Sequence, residues 1–196
     1  MFTFPVLLSL WANLIASGFS ALNPAIPTDG SKTSKKESTG TIGEQLSWST
    51  DRRLSWDDFR AVPDAANPHH ALTAANLAVN GKCVNNTFVY EVRCVFLPTE
   101  SWTKNKKSAK LLYHEQLHFD LTEVHARTLR KNLKSIGASC TTVKDKMNLT
   151  VAAAFKDWKA EQEKFDKLSN HGLDLEAQTA LEENIIARLT ALEAYK

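Results

Sequence analysis

Residues 108–136, SAKLLYHEQLHFDLTEVHARTLRKNLKSI, decide how this chain folds. The stretch contains neither Gly nor Pro, and Leu111, Leu112, Leu117, Leu121, Val124, Leu129, Leu133 and Ile136 recur at spacings of three and four, the period of a helix with a buried face. The pattern predicts one long helix, with Ser108 as N-cap and Gly137 as its stop. On its N-terminal side, residues 71–97 alternate β-branched and aromatic side chains around Asn80-Gly81 and Asn85-Asn86, two signals for turns between antiparallel strands. On its C-terminal side, helical patterns cover about residues 143–168 and 174–195, separated by Ser169-Asn170-His171-Gly172, with Asp174 as cap of the last helix. Further upstream, LSWDDF at 54–59 offers Leu54, Trp56 and Phe59 to the core. The expected class is α+β: a short antiparallel sheet beside a helical bundle built on the long helix.

Among 196 residues, 43% are apolar and 23% charged, an ordinary balance for one globular unit. A net charge of +2 builds no field that would draw nucleic acid or an anionic membrane. The first 28 residues carry no charge, and the apolar run at 4–15, FPVLLSLWANLI, is followed by Ala16, Ser17, Gly18 and Ser20. That reads as a signal peptide over residues 1–20, and the run is shorter than the ~20 residues of a spanning helix. Residues 21–45, rich in Ser, Thr, Gly and Lys towards their end, read as a linker. The folded domain is expected at 46–196, in a secreted or periplasmic protein with no membrane contact beyond the signal. Cys83 and Cys94 flank VNNTFVYEVR, so a disulfide across a hairpin is expected, with Cys140 left over.

Inside the long helix stands His114-Glu115-Gln116-Leu117-His118. At positions i and i+4 both imidazoles lie on one face and can reach one ion. Zinc accepts such ligands and keeps a position open for water in a catalytic site. Glu115 is placed to act as general base. With 6 His in the chain, the motif is expected by chance about 0.01 times.

A catalytic zinc takes a third protein ligand. His125 follows His118 after seven residues, a rise of about 10.5 Å along an unbroken helix, too far to share the ion. His171 sits in the Gly-containing break between the C-terminal helices, where a loop can turn back on the long helix, and is the preferred third ligand. Carboxylate alternatives are Asp120, Glu123, Glu182 and Glu183. Asp166 and Ser169 are candidates to fix the tautomer of His171, and Asp120, Glu123, His125 and Arg127 are further candidates for the surrounding layer. His69-His70 reads as exposed loop, and Tyr113 and Arg127 are unplaced polar neighbours of the motif.

HEQLHFDLTEVHAR at 114–127, with FDKLSNHG at 165–172, resembles the signature of a bacterial family of predicted secreted zinc-dependent proteases without an assigned function. The likeness extends to Trp56, Phe59, Ser101 and Trp102 and spans residues 54–192. The family's H-E-Q-x-H-F-D falls on His114 to Asp120, its A-R on Ala126-Arg127, and its Y-D-x-x-T-x-H-G on Phe165 to Gly172. Phe165 stands where the family has Tyr, Ser169 where it has Thr, and Leu181 where it tends to have Trp. The resemblance implies a zincin-like metallopeptidase.

The expectation is therefore a secreted zinc-dependent hydrolase acting on peptide or protein substrates, with Glu115 catalytic and His114, His118 and His171 on Zn2+. The alternative is a non-catalytic, zinc-stabilised helical binding module of the cell envelope.

Overall fold

A computed structural model describes residues 44–196. The expected signal peptide at 1–20 and nearly all of the linker at 21–45 lie outside the described residues. The elements are β1 (Leu46–Ser47), β2 (Ala71–Leu72), β3 (Ala75–Val84), β4 (Thr87–Phe96), β5 (Trp102–Thr103), α1 (Ala109–Ser135), α2 (Cys140–Leu168) and α3 (Leu175–Ala191). Short 3-10 turns lie at Trp56–Asp58 and Glu193–Tyr195. The class is α+β, as the periodicity predicts. All strand pairings are antiparallel: β1-β4-β3 in one sheet and β2-β5 in a smaller one.

One hairpin, not two, spans residues 75–96 and makes up β3 and β4 of the larger sheet. Asn85 and Asn86 take φ of 48° and 60°, the left-handed pair that a two-residue hairpin turn requires. Asn80-Gly81, expected as a second turn, instead lies within β3, opposite Glu91 and Tyr90. Glycine is needed there for space: a Cβ on Gly81 would stand 2.7 Å from Met147 Cε and 3.0 Å from the Phe88 ring.

The register also corrects the disulfide. Cys83 faces Phe88 and Cys94 faces Leu77, so the two sulfurs lie at opposite ends of the hairpin. Cys83 bonds instead to Cys140, with Cα atoms 5.9 Å apart. Next to this bridge the Phe88 N–H donates to Ala138 O and the Cys140 N–H to Asn86 O, so the hairpin tip is tied to the start of α2 by covalent and hydrogen bonds together. Cys94 is the free thiol, buried, with Sγ 3.7 Å from Phe119 O.

Helix α1 starts where its cap predicts, the Leu111 N–H donating to Ser108 Oγ, and it lies between two apolar cores. Phe119, Ala126, Leu129 and Leu133 pack against Leu77, Val92, Cys94 and Phe96 of the sheet, with Leu54 and Phe59 in the same cluster. Leu117, Leu121 and Val124 face Phe165 of α2 and Ile185 of α3. Such a helix cannot leave its polar side chains to water. Arg127, 1% exposed, donates to Glu123 and Glu193 and to Leu189 O, and its guanidinium lies 5.3 Å from the centre of the Trp48 ring. Arg130 joins the sheet to the C-terminus through Val92 O and Tyr195 O. Asp120 accepts from Trp48 Nε1, Arg53 and Gln116, which fixes the segment after β1 on the helix.

Two expectations follow for stability. The Cys83–Cys140 bond spans 57 residues, so the chain-entropy account puts its contribution at about 4 kcal/mol. Denaturant titration of Cys140→Ser should show a loss of that order, and the unfolded wild-type chain should offer one reactive thiol. A pH effect is expected from Glu161, which accepts from His125 and, through both oxygens, from Arg188. The His125 hydrogen bond, then that of Arg188, outweigh burial and lower its carboxyl from an ordinary 4.5 to about 2. Its stabilising effect is complete above the unfolded value and is lost as pH falls towards the folded one. Thermal midpoints should therefore decline between about pH 4.5 and 2, less steeply in Glu161→Gln than in wild type.

Candidate metal centre

One turn of α1 places His114 and His118 on the face that meets α2 and α3. Their rings stand 4.8 Å apart at 87°, and their Nε2 atoms are 3.2 Å from each other. Asp166, near the end of α2, brings Oδ1 to 3.1 Å from His114 Nε2 and 2.9 Å from His118 Nε2. Three ligand-type atoms thus form a nearly equilateral triangle, and this His-His-Asp group could hold a metal ion. Tetrahedral bonds of 2.0–2.1 Å place ligand atoms about 3.3 Å from one another, close to the edges of the triangle.

The outward nitrogens of both rings are spoken for. Gln162 donates through Nε2 to His118 O and Thr122 Oγ1, so its Oε1 is the acceptor 2.6 Å from His118 Nδ1. Gln178 Oε1 lies 3.0 Å from His114 Nδ1. Each Nδ1 therefore carries its proton towards an amide oxygen, and a neutral ring then presents its Nε2 lone pair to the triangle. Two such lone pairs and a carboxylate oxygen repel one another unless a proton or a cation lies among them. Without a metal a proton answers: burial disfavours the charged form of His118, but the Asp166 hydrogen bond and the charges of Asp166 and Glu115 outweigh it and raise its pKa. Burial would raise the Asp166 carboxyl, yet the hydrogen bonds from His114 and His118 hold it far below the usual range.

Phe165 closes the inner wall, stacked on His114 at 5.2 Å and edge-on to His118 at 4.8 Å. Solvent reaches the group through Asp166, whose side chain is 33% exposed while that of His114 is 3% exposed. Glu115, 4% exposed, has no hydrogen bond to its carboxylate among the described residues, although its backbone carbonyl accepts from Thr73 Oγ1. A carboxylate with no donor among the described residues can accept a proton from a small ligand.

His171 lies alongside the triangle. Its ring is 53% exposed, and its Nδ1 is 3.5 Å from the Asp166 oxygen that faces the two inner histidines. Asn170, His171 and Gly172 have φ of 48°, 52° and 76°, three left-handed residues in succession, a turn that costs about 1–2 kcal/mol at each non-Gly position. It is fixed by His171 N–H to Asp166 O and by Gly172 N–H to Ser169 Oγ, so Ser169 supplies a hydroxyl as Thr would.

The carboxylates that are alternative third ligands by sequence are engaged elsewhere: Asp120 with Trp48 and Arg53, Glu123 with Arg127 and Arg130, Glu182 with Tyr113, while Glu183 is exposed. His125 is bound to Glu161 and Arg127 to the C-terminal turn, so neither touches the triangle. Gln162 and Gln178 were not legible as site residues. The available signal was spacing, since Gln162 precedes Asp166 by one helical turn on α2.

An α+β chain whose HExxH helix meets a carboxylate from a neighbouring helix defines the class of site. Residues 46–172, more than half of the chain, match the family described as bacterial protein of unknown function (DUF922), and the chain belongs to that family. No curated protein and no solved structure matches it.

Gly172 yields a local test. A Cβ there would stand 2.9 Å from His114 Cγ and 3.1 Å from Gln178 Oε1, on a backbone that disfavours any side chain. Gly172→Ala should cost about 1–3 kcal/mol in thermal or denaturant unfolding. Ala substitution of the exposed Glu183 should leave stability unchanged.

Proposed function

We propose that this protein is a zinc-dependent hydrolase of amide bonds in peptide or protein substrates, acting in a secreted or periplasmic setting. The observation that carries the reading is the convergence of three metal-ligand atoms, with the Glu115 carboxylate, which has no hydrogen-bond partner among the described residues, on the same helical turn. Donor chemistry supports zinc, which favours imidazole with a carboxylate. The proposed ligands are His114, His118 and Asp166, with His171 next to Asp166 rather than in the triangle. When bound, zinc would act as a Lewis acid on the scissile carbonyl and lower the pKa of water.

The remaining work falls to the chain. Gln162 and Gln178 hold the two imidazoles in the ligand tautomer and orientation. The Glu115 carboxylate takes a proton from the attacking water and returns it to the leaving amine nitrogen. Phe165 gives the site a dry wall. The Cys83–Cys140 disulfide supports an oxidising compartment. The contrasting reading, a structural zinc in a binding module, calls for a fourth protein ligand that closes the site; three converge among the described residues.

Glu115→Gln should keep bound zinc, measured by elemental analysis, while hydrolysis of a mixed peptide library falls about 10²–10⁴-fold. Equal turnover in wild type and variant would remove Glu115 from the mechanism. Zinc retention with no turnover in either protein would favour the binding module. Asp166→Ala should lose the metal, whereas His171→Ala should hold it with at most a 10–100-fold weaker affinity. The reverse order would make His171 the third ligand.

A further inference from the structure

The stretch from the end of β5 into the first turn of α1, residues 103–110 (TKNKKSAK), carries four lysines and no acidic residue. It is pinned at both ends to the two segments that flank the solvent side of the His-His-Asp group. At its start, the Lys104 ammonium binds the carbonyls of Ala65 and Asn67, and the Lys104 N–H donates to His70 O. The loop so held brings the His69 ring to 5.1 Å from the ring of His171, whose Nδ1 is 3.5 Å from Asp166 Oδ1. At its end, the Lys110 ammonium binds the Leu173 carbonyl, one residue beyond the Gly172 that packs on the His114 ring.

These anchors fix positive charge in place without cancelling it, because a backbone carbonyl accepts from an ammonium and leaves it charged. Lys106 and Lys107, between the anchors, are exposed. None of the four lysines forms an ion pair among the described residues. The acids at the ends of the two flanking segments are turned to backbone donors of their own: Asp64 accepts from the Ala66 N–H and Asp174 from the Ala177 N–H. The positive end of the α1 macrodipole adds to the same field, and the first turn of α1 has no acidic side chain to offset it.

We propose that Lys106 and Lys107, with the fixed charges of Lys104 and Lys110, form a binding rim for acidic peptide segments, so that polypeptides reaching the His-His-Asp group are those rich in Asp or Glu. Charge complementarity names the partner. The whole chain carries a net charge of only +2, so the field is local and favours carboxylates presented beside the site over polyanions at large. Each exposed ammonium–carboxylate contact is weak alone, and selectivity therefore grows with the number of acidic residues in the segment. That the acidic peptide is a substrate rests on the hydrolase reading; that it binds does not.

The test is fluorescence anisotropy of three labelled peptides that differ only in bearing clustered Glu, Gln or Lys, each titrated with the full chain. At low salt the Glu peptide should bind about tenfold more tightly than the Gln peptide and the Lys peptide least, with the gap closing as salt rises to about 0.5 M. Lys106→Glu/Lys107→Glu should abolish the preference. Lys131→Glu/Lys134→Glu, the same charge change roughly 30 Å away along α1, should keep it. Equal binding of the three peptides, a preference that salt does not weaken, or an equal loss in both double variants overturns the rim. Mass spectrometry of the same peptides after incubation separates the two claims. Preferential binding without cleavage of any peptide removes the hydrolase reading and leaves the rim, whereas cleavage with no preference for the Glu peptide removes the rim and leaves the hydrolase.

Discussion

The constraint on which the structure depends is that α1 is buried along most of its length while carrying eight polar or charged side chains. His114, Glu115, Gln116, Asp120, Thr122, Glu123, His125 and Arg127 are all inaccessible or nearly so. A core helix of that composition is stable only if neighbouring segments supply a partner for each group that needs one. The segment after β1 answers Asp120 and Gln116, α2 answers His118, Thr122 and His125, and α3 with the C-terminal turn answers His114 and Arg127. Glu115 is the exception: its carboxylate has no hydrogen-bond partner among the described residues, and in sequence it adjoins His114 of the ligand triangle.

Two kinds of packing divide the helix. The sheet covers the Phe119, Ala126 and Leu133 stripe and gives rigidity, since β3 and β4 pair over their full ten residues. The helical side is where chemistry concentrates, because α2 and α3 approach His114 and His118 with amides and a carboxylate rather than with more leucine. The amides act on the outer ring nitrogens and the carboxylate on the inner ones, so each imidazole has distinct neighbours at its two ends.

Elements whose signals are local were legible in the sequence. The 3.6-residue pattern and the Ser108 and Asp174 caps located α1 and α3, and Asn85-Asn86 located the hairpin turn. What failed were features that depend on distant neighbours. Asn80-Gly81 has the chemistry of a turn, yet it pairs within β3, where Met147 and Phe88 leave no room for a side chain on Gly81. Cys83 and Cys94 are close in sequence, but strand register separates them, and the true partner comes from a helix that no short-range pattern ties to the hairpin. The inner histidines and Glu115 were readable because i, i+4 geometry is local. The sequence marks Asp166 only as a neighbour of His171; its place between the two rings arises from the way α2 crosses α1, which spacing along the chain does not encode.

Helix α3 has a bearing on where this protein can be divided. The family match ends at residue 172, whereas Gln178, Ile185 and the Leu189 carbonyl lie beyond it. A fragment trimmed to the matched boundary would leave the Arg127 guanidinium, buried in the intact fold, without its carbonyl acceptor and would open the Phe165 side of the core to water. For expression or transplantation the smallest self-sufficient unit is thus longer than the recognised family segment, and the extra helix belongs to the His114–His118–Asp166 group, through Gln178, as much as to the scaffold.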